Sequence, residues 1–241
     1  MQNLEDIVSR QNPQWENPLF TSVEMTFLRR KGIIEKISPW LDKRLIIALT
    51  GLRRTGKSTL LSQIKGDLLK KVVPNRILAF SFEKSQVRSD KESLRTILNY
   101  YFDKVLQKIP QELTEKVYIF LDEVQYIPYW QDVVKTYYDF NHHIKIFVSG
   151  STSLFIRKKA LESLAGRMIE IVVPPLTFEE YLILSARKIN NLENNFRFGK
   201  NLLNALFEEY LVIGEFPEPL KEKYLPENVG PYLALIEEKI V

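Results

Sequence analysis

No cysteine occurs in the 241 residues. Disulfides, thiolate nucleophiles and cysteine-ligated zinc are therefore excluded, and a reducing compartment suits the chain. The two histidines form one adjacent pair, His142-His143, with no acidic or histidine companion at ligand spacing, so they read as a solvated loop rather than a metal site. No stretch approaches the roughly 20 apolar residues that a membrane-spanning helix requires. The amino terminus, Met1 to Ile7, carries early acids and lacks the apolar segment of a signal peptide. A soluble, cytoplasmic protein is the expectation. Neither sign of charge dominates: 34 Lys+Arg against 30 Asp+Glu leave a net +4, which does not by itself argue for nucleic acid. A hydrophobic content of 45% is enough for a packed core.

Short, nearly continuous apolar runs recur at Arg44–Thr50, Arg76–Phe82, Val117–Leu121, Ile144–Ser149 and Met168–Val173. Helical spacing separates them. Ser93 to Leu106 sets Leu94, Ile97, Leu98, Tyr101, Phe102 and Val105 on one face, and Trp130 to Phe140 does the same with Val133, Val134, Tyr137 and Tyr138. Strands alternating with helices predict an α/β fold, a parallel five-stranded sheet with helices on both faces. Trp130 and the Tyr137-Tyr138 pair belong to its core rather than to a stacking platform. Beyond Pro174-Pro175 the pattern turns helical, with Thr177 as cap for the helix from Phe178 and a further helix near Asn201 to Val212. The expected organisation is a lead-in over 1–42, a core over 43–175 and a helical C-terminal region over 176–241. A solvated linker, Arg187 to Asn195, falls inside the last. Glu237 to Val241 stops in mid-helix by pattern, as the start of a second domain cut short would.

Between the first apolar run and the helix after it stands Gly51-Leu52-Arg53-Arg54-Thr55-Gly56-Lys57-Ser58, a phosphate-binding loop G-x-x-x-x-G-K-S without mismatch, with Thr59 following. Glycines let the backbone turn its N–H groups inward, so that successive amides and the positive end of the helix face the β- and γ-phosphates. Lys57 adds a mobile full charge and Ser58 a hydroxyl for Mg²⁺. A glycine turn that merely joins strand to helix needs no lysine followed by serine. Arg53 and Arg54 occupy variable positions that point away from phosphates and are available to a partner or another domain.

Tyr118-Ile119-Phe120-Leu121 runs directly into Asp122-Glu123. A buried strand ending there aims Asp122 at the metal held by Ser58, and Glu123 just beyond polarises a water for attack on the γ-phosphate. A glutamate in that place favours water as acceptor and argues against a kinase. Ser149-Gly150-Ser151 ends the fourth run. Ser151 and Ser149 are candidates to meet the γ-phosphate or the attacking water, while a plain Gly-Ser turn explains the same residues. In Leu164-Ala165-Gly166-Arg167, Arg167 is either a solvated arginine or a group that stabilises developing charge on the γ-phosphate.

These motifs in this order, with Trp130 and Pro175-Leu176-Thr177-Phe178-Glu179-Glu180-Tyr181, resemble the AAA-type P-loop ATPases of archaea and bacteria. More narrowly the chain is similar to the branch whose ATPase core precedes a C-terminal domain of unknown function, suggested by Tyr210 to Glu218, although Glu215 stands where that branch has glycine. The resemblance implies that the sensor strand lies between the two nucleotide strands, and it supports Ser151 and Arg167 as γ-phosphate readers, Arg167 in its own chain or a neighbour's.

The expectation is a Mg²⁺-dependent ATPase, with ATP and Mg²⁺ as cofactors and a partner protein or further copies of the chain as partners. The alternative is a nucleotide-controlled binding module in which slow hydrolysis resets a switch and the partner is a protein or DNA. Arg29-Arg30-Lys31 and Arg157-Lys158-Lys159 motivate the DNA version, against the plainer reading of scattered solvated charge.

Overall fold

Apolar runs of five to seven residues satisfy their backbone polar groups and bury both faces by pairing side by side. The computed structural model describes residues 4–22, 25, 27, 29–83, 91–150, 163–184, 196–214 and 216–218, and in it all five runs are strands. They are β1 (Ile46–Thr50), β2 (Ile77–Ser81), β3 (Val117–Asp122), β4 (Ile144–Gly150) and β5 (Met168–Val172). The pairings are parallel and the order is β2-β3-β4-β1-β5. β4 thus lies between β1 and β3, as the resemblance implies. β4 is buried throughout its length, whereas the edge strands β2 and β5 are only partly covered. Phe120 and Phe147 face each other across β3 and β4 with ring centroids 4.5 Å apart.

Helices α1 (Leu4–Gln11), α2 (Lys31–Ile37), α3 (Lys57–Leu69), α4 (Lys91–Tyr100) and α5 (Trp130–Phe140) accompany the sheet. A wider π turn, Tyr101–Leu106, extends α4. It brings Tyr101 against Trp15 and Phe102 against Tyr137, at centroid distances of 5.8 and 5.6 Å. Trp130, Tyr137 and Tyr138 are core, as expected.

The chain divides into two units, one of residues 1–51 and 57–172, the other of 52–56 and 173–241. In the second unit, α6 (Phe178–Leu184) starts on Thr177. Glu180 N–H donates to Thr177 Oγ1 at 3.2 Å and Thr177 N–H donates to the Glu180 carboxylate at 3.0 Å, a reciprocal capping box. α7 (Phe196–Glu209) and its π turn Tyr210–Gly214 pack Phe207 and Tyr210 against Phe178. The expected linker at 187–195, the basic run at 157–159 and Glu215 lie outside the described residues.

The lead-in belongs to the first unit, and its polar side chains do what a sixth strand would. An edge strand leaves every second residue's N–H and C=O without a ladder partner. Along β2 those residues are Ile77, Ala79 and Ser81. Asn12 Nδ2 donates to Ala79 O at 2.9 Å while Ala79 N–H donates to Asn12 Oδ1 at 2.7 Å. Gln11 makes the same pair with Ser81, at 3.2 and 2.7 Å. Gln14 and Trp15 both donate to Ile77 O. Asn12 is 1% exposed, so truncation strands buried partners, at about 1–3 kcal/mol for each unsatisfied group. Asn12→Ala is expected to lower the unfolding free energy by about 3 kcal/mol at unchanged denaturant slope, with the exposed Asn17→Ala as control. A urea midpoint equal to that of the control would show that the amide pairing contributes nothing.

Candidate functional site

Parallel strands bring their carboxyl ends to one rim of the sheet, where the loops that follow them can share a ligand. At this rim stand Thr50-Gly51 of β1, Asp122-Glu123 of β3 and Ser149-Gly150 of β4. Pairing of Leu49 with Ser149 and of Leu121 with Val148 fixes the register, so the adjacent acids and the serine arrive at one level.

Ser149 is fully buried and joins the two acids. Its hydroxyl donates to Asp122 Oδ1 in a very short hydrogen bond and accepts the Glu123 backbone N–H at 3.1 Å. One side chain of β4 therefore sets the direction of the Asp122 carboxylate and pins the turn that follows. In that turn Glu123 takes the left-handed conformation, φ 58° and ψ 49°. A glutamate there costs on the order of 1–2 kcal/mol, and strain of this kind gathers at functional sites. Its carboxylate accepts a short hydrogen bond from Gln125 Nε2. Burial raises the Glu123 pKa above the ordinary carboxylate range, and the Gln125 bond and the Lys57 charge oppose the shift. A buried carboxylate biased toward its proton beside a fixed cation is the environment of a general base.

Lys57 opens α3 and is 3% exposed, with Nζ donating to Gly51 O at 3.3 Å. Ser58 and Asp122 line one cavity of about 290 Å³. A hydroxyl and a carboxylate are hard oxygen donors of the kind Mg²⁺ takes, so this pair fits the ion. Of the loop residues, Gly51 (φ 144°), Arg54 (φ 66°) and Gly56 (φ 94°) have the positive φ that turns amides inward. Thr55 braces the turn by donating to Leu52 O at 2.9 Å.

The other expected residues fall differently. Ser151 lies outside the described residues. Arg167 precedes Met168, whose partner is Ile46 at the start of β1. It therefore stands at the opposite end of the sheet from Gly51, about 16 Å away at ~3.3 Å per strand residue. There its Nε donates to Asp139 at 3.0 Å. Arg29 pairs with Asp67 through both terminal nitrogens and Arg30 is buried, while Lys31 is exposed. The rings of His142 and His143 lie 4.1 Å apart at a tilt of 39°, and among the described residues no group of three metal-ligating side chains occurs. No motif in the sequence marks Gln125. Its only signal is an amide two residues beyond the acid.

Known proteins place the chain. The AAA domain profile matches residues 43–182. An uncharacterised protein of Methanocaldococcus jannaschii is 34% identical over 208 residues, covering 79% of this chain and 42% of its own length. One of Haemophilus influenzae is 29% identical over 205 residues, covering 82% and 47%. The chain thus spans less than half the length of these curated relatives. Among solved structures, Caenorhabditis elegans PCH-2 aligns with 95% of this chain and 72% of its own, at TM-score 0.53 and 14% identity. Aeropyrum pernix ORC1, solved in complex with DNA, aligns with 83% and 54%, at TM-score 0.51 and 13% identity. At such identities the two share the fold. No helix among the described residues is long and apolar enough to cross a membrane. By its profile match over more than half of its length, the chain belongs to the AAA family of P-loop ATPases.

Proposed function

We propose that the chain binds ATP with Mg²⁺ and hydrolyses the β–γ phosphoanhydride, coupling turnover to a task of its C-terminal region or of a partner. The observation that carries this reading is the rim itself, with Lys57, Asp122 and Glu123 converging and Ser149 fixing both acids. Lys57 leaves Gly51 O for the phosphates, while loop amides receive the remaining oxygens. Mg²⁺ bound by Ser58 and Asp122 would neutralise charge on the β- and γ-oxygens. Glu123, oriented by Gln125, takes the proton of the attacking water. Ser151 remains a proposed reader of the γ-phosphate. Arg167, at the far end of its own sheet, serves this chemistry only in a neighbouring copy.

Steady-state ATP hydrolysis, measured with Mg²⁺ and again with chelator across a range of protein concentrations, tests this reading. Turnover should require Mg²⁺ and rise more than linearly with protein if a neighbour completes the site. Binding of Mg-ATP without turnover at any concentration would favour the nucleotide-controlled switch.

A further inference from the structure

Five residues of the phosphate loop, 52–56, fold with the C-terminal unit. Within that unit the loop meets the segment Phe216-Pro217-Glu218. Glu218 Oε2 accepts from Arg54 Nη1 at 3.0 Å. Pro217 sits over Gly56: a Cβ built on that glycine would lie 4.0 Å from Pro217 Cγ. Phe216 is buried. Consecutive C-terminal residues thus hold loop positions two apart. Those two positions carry the positive φ values, 66° at Arg54 and 94° at Gly56, that set the direction of the loop amides. At Arg54 the conformation is strained, since a side chain there meets its own carbonyl, and the ion pair is a restraint that opposes relaxation.

We propose that Phe216–Glu218 is a clasp on the phosphate loop that pre-forms it for phosphate and reports nucleotide occupancy to the C-terminal unit. The reporting half rests on the ATP reading above. Nucleotide bound by the loop fixes the dihedrals that the clasp also fixes, so each stabilises the other by the same factor, as linkage requires. The ion pair sets a scale for the effect. Its side chains are 32% and 39% exposed, and pairs of that kind are worth about two- to five-fold in an equilibrium. This assigns Arg54, at a variable position of the motif, the role of tying the phosphate loop to Glu218.

Two measurements on the full chain test the clasp. Hydrogen exchange of the 53–56 amides, without nucleotide, is expected to quicken about two- to five-fold in Glu218→Ala and Glu218→Gln. Equal exchange in wild type and both variants overturns the clasp, whatever ATP does. Mg-ATP affinity should weaken by a similar factor in Glu218→Ala and in Arg54→Ala, and the double variant should be no weaker than the poorer single one. Additive losses would mean that the two side chains act separately, and would overturn it. Because Glu218 is part-exposed, loss of the fold is not a competing explanation, and the conservative glutamine keeps the shape. Quickened exchange in a wild-type background that fails to bind Mg-ATP would support the clasp and overturn the nucleotide reading with the reporting role.

Discussion

Replacing Glu123 by glutamine is expected to lower the rate of ATP hydrolysis by about 10²- to 10³-fold while leaving Mg-ATP affinity within about threefold of wild type. The amide has the shape of the carboxylate and can still meet Gln125, but it cannot take a proton from water. A fall of that size corresponds to about 2.7–4 kcal/mol of barrier. The environment makes the variant informative. Glu123 is 7% exposed, and its desolvation already penalises the charge, so removing that charge should not weaken the fold. Lost turnover would thus be lost chemistry rather than lost structure. Single-turnover hydrolysis with saturating nucleotide, alongside thermal unfolding, separates the two. Turnover within threefold of wild type would remove Glu123 from the role of base.

Much of this site was legible because its parts are local. The loop is eight consecutive residues, and the acid pair ends an apolar run, so strand and rim were both fixed by Tyr118 to Glu123. Thr177 was read as a cap, and the structure adds its reciprocal partner Glu180. Arg167 shows what local reading leaves open. A residue that precedes a strand of a parallel sheet lies at the amino end, whereas phosphate ligands collect at the carboxyl end, so its position in the chain already separates it from Gly51. The motif drew attention to the residue and the topology removed it from its own site.

The amide side chains along β2 left no trace in the pattern. Gln11, Asn12 and Gln14 look like a polar lead-in, because nothing periodic marks side chains that pair with a backbone more than 60 residues away. The Arg54–Glu218 pair is longer in range still, its members separated by 164 positions. Hydrophobic period reports which face of an element is buried. It is silent on which polar groups find each other once several elements have packed, and both features belong to that second class.

Lys57→Met should cost affinity and leave stability nearly unchanged. The ammonium is 3% exposed in a folded chain, with a carbonyl at 3.3 Å. Keeping a cation in such a place costs free energy that methionine, of similar length and no charge, does not spend. The same ammonium also favours the buried Glu123 carboxylate, so the two effects offset and the melting temperature should stay close to wild type. Mg-ATP binding should weaken by about 30- to 300-fold, the equivalent of ~2–3.4 kcal/mol, because the variant loses a charge-assisted interaction with phosphate that backbone amides cannot replace. Kept stability with lost affinity would not arise from a lysine that serves only the fold, whose removal would lower the melting temperature and leave affinity alone. Titration calorimetry with Mg-ATP and thermal unfolding on the same sample decide between them. Affinity within threefold of wild type would mean that the loop holds phosphate through its amides alone, and the charge at Lys57 would then have to act on the transferring group during turnover rather than on the bound nucleotide.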